Sequence, residues 1–134
     1  MLFCGITGNP LKEEGKIVLL NKENGEILFE RNELFDLIVK PVKYLNYIFF
    51  VTYDKKIKKL DLVTKKVTHL IDLGDLGRIC DNQLYLQGSK IYFSNCDNNI
   101  YEYDIKKSKL IFVKKSKRRL LNVFEVNNVL YFDN

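Results

Sequence analysis

Short runs of large aliphatic and aromatic residues alternate with clusters of Asn, Asp, Gly, Ser and Lys along the whole chain. Runs of this kind, bounded by turn formers, predict strands rather than helices. The clearest are Ile17-Val18-Leu19-Leu20, Tyr47-Ile48-Phe49-Phe50-Val51 and Ile91-Tyr92-Phe93-Ser94. Over Ile57 to Leu62 the character alternates instead. Ile57, Lys59 and Asp61 fall on one side of an extended chain, and Lys58, Leu60 and Leu62 on the other. Such a strand shows two faces of different polarity. Asn21, Asp61 and Asp104 each close a run, and their side chains can bond the backbone two residues on. Asn24-Gly25 accepts positive φ, and Asp97-Asn98-Asn99 and Asp54-Lys55 are predicted turns. The pattern therefore spells consecutive hairpins.

These hairpins repeat. Ile17-Val18-Leu19-Leu20-Asn21 is followed by a turn and Ile27-Leu28-Phe29; Ile57-Lys58-Lys59-Leu60-Asp61 by a turn and Val67-Thr68-His69; Ile100-Tyr101-Glu102-Tyr103-Asp104 by a turn and Leu110-Ile111-Phe112. The starts lie 40 and 43 residues apart. A further, weaker strand precedes each unit: Val42-Lys43-Tyr44, Leu84-Tyr85-Leu86 and Val123-Phe124-Glu125-Val126, followed by the turn pairs Leu45-Asn46, Gly88-Ser89 and Asn127-Asn128. Val129-Leu130-Tyr131-Phe132 begins another copy. The least regular part is the opening strand, Leu2 to Ile6, which the stretch from Gly8 to Gly15 separates from Ile17.

A repeated four-strand meander of this period resembles the blade of a β-propeller. Gly15 to Glu30 is similar to the repeat of quinoprotein (PQQ-like) propellers, in which a Gly-led strand enters an L-D-x-x-T-G-x-x-x-W turn. Leu20, Asn21, Asn24, Gly25 and Phe29 stand at the matching positions. Leu60-Asp61 with Thr64, and Tyr103-Asp104 with Ser108, echo it more thinly, and the tryptophan position holds Phe29, His69 and Phe112. Blades of the WD40 kind share the same architecture. The fold class expected is thus all-β: four-stranded antiparallel meanders forming a partial β-propeller of about three blades. Approximate blades are 1–33 (incomplete), 34–76, 77–117 and 118–134 (incomplete). Propellers typically close with about 4 to 8 blades. The chain is accordingly expected to be a piece of a longer propeller, or one half of a homo-oligomeric ring that would leave one spare strand per chain.

Composition supports the all-β reading. The 134 residues contain no Ala, the best helix former, and many Ile, Val, Phe and Tyr, which suit a pleated surface. Cys4, Cys80 and Cys96 are an odd number without a CxxC pair, so free thiols in a reducing compartment are expected. No segment reads as a signal peptide or membrane span, and a cytoplasmic location follows as the expectation. The net charge is +5, but Lys dominates over Arg, which argues against a dedicated nucleic-acid reader.

Candidate chemistry is sparse. Lys114, Lys115, Lys117, Arg118 and Arg119 form the sharpest local feature, a basic contact patch of the kind that binds phosphates non-specifically, or else a solvated loop between two blades. Asp36 and Asp81 are the carboxylates best placed to face a propeller channel. His69, the only histidine, falls on a predicted strand and reads as packed or edge-exposed. The resemblance implies a quinone held by a Trp stack, a metal and adjacent cysteines. The chain has no Trp and no adjacent cysteines, so neither quinone nor metal is expected, and no catalytic residue is assigned. The function expected is a non-catalytic interaction scaffold, with a protein partner or self-association through open edge strands. The rival is part of a larger propeller enzyme (hydrolase, lyase or quinoprotein-like oxidoreductase) whose catalytic residues lie elsewhere.

Overall fold

In the computed structural model, residues 1–7, 15–33, 39–54, 56–73, 76, 84–117, 122–127 and 129–133 are described. They form strands and turns, and no helix. The first sheet holds β1 (Leu2–Thr7), β2 (Gly15–Leu20) and β3 (Ile27–Asn32). The second holds β4 (Val42–Tyr44), β5 (Tyr47–Thr52), β6 (Lys56–Asp61) and β7 (Val67–Asp72). The third holds β8 (Tyr85–Gln87), β9 (Lys90–Ser94), β10 (Asn99–Asp104) and β11 (Lys109–Lys115), and the fourth β12 (Asn122–Val126) and β13 (Val129–Asp133). Every sheet runs in chain order with antiparallel neighbours. The short strands β4 and β8 and the longer β12 are the weak predicted strands, shifted by at most one residue at either end.

Strand alternation builds the cores between sheets. On β5, Ile48 and Phe50 point one way and join Leu60 against Ile17 and Leu19 of the first sheet, with Phe29, Leu62 and Val67 packed around them. Phe49 and Val51 point the other way. With Ile57, Ile71 and Leu73 they meet Leu84, just before β8, and Ile91, Phe93, Tyr101 and Tyr103 of the third sheet. The second sheet is therefore buried on both faces, which explains why its Tyr47–Thr52 run is almost continuously apolar. Phe93 stacks on Tyr101 with ring centroids 5.5 Å apart.

The predicted bond to the backbone two residues on is present at the first two corners, and at the third the side chain reaches three residues on. Asn21 Oδ1 accepts from Glu23 N–H at 2.9 Å, Asp61 Oδ1 from Val63 and Thr64 N–H at 2.8 and 3.1 Å, and Asp104 Oδ1 from Lys107 N–H at 3.0 Å. A left-handed residue leads into the outer strand each time, two residues before β3 and β7 and one before β11: Gly25 (φ 73°), Lys65 (φ 60°) and Ser108 (φ 50°). Only the first corner uses glycine, and a Cβ there would meet nothing within 4 Å, so the demand is conformational alone. Ser108→Gly is expected to stabilise the protein by about 0.5–1 kcal/mol in urea unfolding, because it removes left-handed strain from an exposed side chain. Lys65→Gly gains less, since Lys65 Nζ donates to Leu62 O at 2.7 Å.

One detail departs from the aligned repeat. The outer strand of the first sheet bulges at Leu28, so Phe29 pairs with Leu19 and packs inward. In the second and third sheets the extra residue is Leu70 or Val113. His69 then lies opposite Lys58 and Phe112 opposite Tyr101. The position that aligns as one aromatic seat thus faces different ways in different sheets.

Candidate functional site

Three chain exits and two turns gather at one end of the sheets: the ends of β3, β7 and β11, and the β5–β6 and β9–β10 turns. Direct contacts join them. Glu33, just past β3, is buried, with a side chain 5% exposed. Its carboxylate meets Lys58 Nζ of β6 at 2.6 Å and Arg31 Nε at 3.0 Å, so the first and second sheets are tied by a charged clasp. Beside it, Thr52 Oγ donates to Lys56 O at 3.2 Å, and Lys56 Nζ lies 3.0 Å from Asp54. Burial works against the charged form of Asp54, but hydrogen bonds with Thr52 and Lys56 outweigh it and hold the carboxyl below its ordinary value.

Asn95 organises the neighbouring turn and stands where Thr52 stands one repeat earlier. It is 3% exposed. Its Oδ1 accepts from Asp97 and Asn99 N–H at 3.1 and 2.9 Å. Its Nδ2 donates to Leu76 O in the connection after β7. Ser116 N–H in turn donates to Asn98 O at 2.8 Å, which fastens the basic run to the same turn. Among the described residues every buried polar side-chain atom has a hydrogen-bond partner, as a rigid interior requires.

The basic patch is only partly visible. Lys114 and Lys115 end β11, opposite Ile100 and Asn99, and with Lys117 they are exposed. Arg118 and Arg119, and the proposed channel carboxylates Asp36 and Asp81, lie outside the described residues. His69 is exposed on β7. The cysteine expectation is corrected at one position, because Cys96 is disulfide-bonded. An odd count rules out pairing all three cysteines but not pairing two. Among the described residues no group of three or more His, Cys, Asp or Glu side chains is placed to hold a metal. Among the described residues no helix is long and apolar enough to cross a membrane.

Two further features lie away from this end. On the third sheet, Tyr92 Oη donates to Glu102 at 2.7 Å, and Lys90 Nζ lies 3.0 Å from the same carboxylate. Burial, aided by Glu102, pushes the Tyr92 phenol up from 10.0 to about 12. The neutral phenol is the form the fold favours. Its contribution is therefore present below pH 10.0 and lost as pH rises toward about 12. Tyr92→Phe is expected to flatten the fall of unfolding free energy across that window, and Glu102→Gln to bring the Tyr92 absorbance titration to lower pH. The second feature is a cavity of about 200 Å³ lined by Met1, Pro41, Val42, Lys43, Ile48 and Leu62. It is largely apolar and carries no convergent polar groups.

Sequence reasoning missed Glu33–Lys58, the Asn95 hub and Tyr92–Glu102. One signal was available for the first. Glu33 stands six residues past Ile27, where Leu73 follows Val67, so a charge occupies a place that is apolar in the next repeat.

No protein-family model matches the chain, and no curated protein matches it. Solved structures do match. The computationally designed Ika8 protein superposes with a TM-score of 0.66 at 15% identity over 88% of this chain and 36% of that one. BamB from Moraxella catarrhalis gives 0.57 at 13% identity over 90% and 49%. The N-terminal domain of Nup159 gives 0.58 at 12% identity over 85% and 34%. BamB and the Nup159 domain are β-propellers. The fold is therefore that of a β-propeller segment, and the chain spans a third to a half of the lengths of these proteins. The likeness is to propellers in general, without a preference for the quinoprotein type.

Proposed function

We propose that this chain is a non-catalytic propeller segment that serves as a protein-interaction scaffold, with contacts made at the end that gathers Glu33, Asn95 and the basic run. The observation that carries this reading is the attachment of Lys114, Lys115 and Lys117 to a turn held rigid by Asn95 and Ser116. Exposed cations on a fixed frame suit recognition of an acidic protein surface. The buried charges nearby are spent on joining sheets. The disulfide at Cys96 favours an oxidising compartment over the cytoplasm that the cysteine count implied.

The test uses a charge-reversed variant, Lys114→Glu with Lys115→Glu and Lys117→Glu, and labelled polyglutamate as the acidic probe. Anisotropy titrations at low and moderate salt should show binding by the native chain that drops by about tenfold or more in the variant. Tighter binding of mixed oligonucleotides than of polyglutamate would assign the patch to nucleic acid instead.

A further inference from the structure

The outer strand β11 differs from its counterparts. Among the described residues it is the longest strand, with seven residues, and it is the edge of its sheet, with β10 as its strand neighbour. Three of its four apolar residues are exposed: Ile111 is 40%, Phe112 56% and Val113 43% exposed, while Leu110 packs against the core. The equivalent strand β7 presents Thr68 and His69 instead, and β3, apolar at Ile27 and Leu28, turns to Glu30, Arg31 and Asn32. The same tetrapeptide flanks the apolar stretch on both sides. Lys106-Lys107-Ser108-Lys109 precedes Leu110-Ile111-Phe112-Val113, and Lys114-Lys115-Ser116-Lys117 follows it. All six lysines are exposed.

We propose that the outer edge of β11 is a docking site for an extended protein segment, apolar at its centre and acidic at both ends, which adds to the third sheet as a fifth strand. Three properties of the edge select that partner. The backbone groups along the open side need donors and acceptors at strand spacing, which an extended peptide supplies. The exposed Ile111, Phe112 and Val113 offer apolar contact on alternate faces of the added strand. The lysine clusters, whose facing members Lys109 and Lys115 end the strand about 20 Å apart, match carboxylates at the two ends of the segment. A lipid surface or a nucleic acid would satisfy the lysines, but neither supplies a row of amide donors and carbonyl acceptors. The proposal rests on the scaffold reading and adds its mode of recognition.

The experiment uses the full chain and a labelled peptide with paired acidic residues flanking alternating valine and threonine. A second peptide keeps the charges but places proline at alternate central positions, which removes the amides that strand pairing needs. The expected result is that the proline peptide binds at least about tenfold more weakly at the same salt. Lys109→Glu with Lys115→Glu should weaken the first peptide by a similar factor. Val113→Pro should abolish the difference between the peptides. Val113 is the bulge residue without a register partner on β10, and circular dichroism checks that the sheet survives the change. Equal binding of the two peptides to the native chain overturns the proposal whatever the variants do, and means that the lysines act only as charges or as guards against edge pairing. Tighter binding of phosphatidylserine vesicles or of oligonucleotides than of the first peptide also overturns it. Polyglutamate binding that survives while the peptides bind equally would overturn strand addition and leave the scaffold reading standing. Loss of polyglutamate binding would remove the scaffold reading itself.

Discussion

Phe49→Ala is expected to lower the unfolding free energy by about 3–5 kcal/mol, the range for emptying a fully buried aromatic site. Phe49 is 0% exposed and sits in the larger core, between the second and third sheets. The β-strands around it are paired on both edges, so the backbone has little freedom to close the void. Small domains are stable by only about 5–15 kcal/mol, so this one change removes a large part of the total. Phe49→Leu keeps most of the volume and should cost far less, which gives a folded variant for comparison. Tyr53, 53% exposed in the following turn, provides the control, and Tyr53→Ala should fall within about 0.5 kcal/mol of the native chain. Urea unfolding followed by circular dichroism reads all three. A Phe49→Ala protein as stable as Tyr53→Ala would mean that the two sheets do not pack as described.

Lys58→Met is expected to cost about 3 kcal/mol, because it leaves the Glu33 carboxylate buried with Arg31 as its remaining cation. The repeat itself supplies the repair. In the next seam the places of Glu33 and Lys58 are taken by Leu73 and Tyr101, 1% and 8% exposed, within the apolar core. Glu33→Leu combined with Lys58→Tyr should therefore recover most of the lost stability. Buried ion pairs often exchange for apolar pairs at little net cost, whereas a single removal strands a charge. A double variant no more stable than Lys58→Met would show that the two seams are not interchangeable. Raising the salt concentration should change little in either case, since the pair is shielded from solvent.

Much of the architecture was legible in the sequence because strands and tight turns leave local marks. Alternation over Ile57–Leu62, the Asn or Asp at each corner and the turn pairs Leu45-Asn46 and Gly88-Ser89 are interactions between near neighbours. The 40- and 43-residue spacing then carried the assignment from single hairpins to repeated sheets. The candidate site was less legible. Lys114, Lys115 and Lys117 were visible as a charge run, but their attachment to the Asn95 turn was not. Lys58 reads as one more surface lysine until Glu33, 25 residues earlier, is placed beside it. The Leu28 bulge also escaped the alignment, because a bulge changes which way Phe29 points without changing its place in the repeat.

By itself, then, the sequence determined the kind of element, the period and the corner chemistry. These depend on backbone conformations and hydrogen bonds that span a few residues. The tertiary structure decided which face of each strand is buried, which charges are paired across a seam, and that the outer strand β11 keeps Ile111, Phe112 and Val113 exposed between two lysine clusters. Those outcomes depend on contacts between residues far apart in the chain. Their energies come from removing particular side chains from water together, and a local pattern carries no record of which side chains those are.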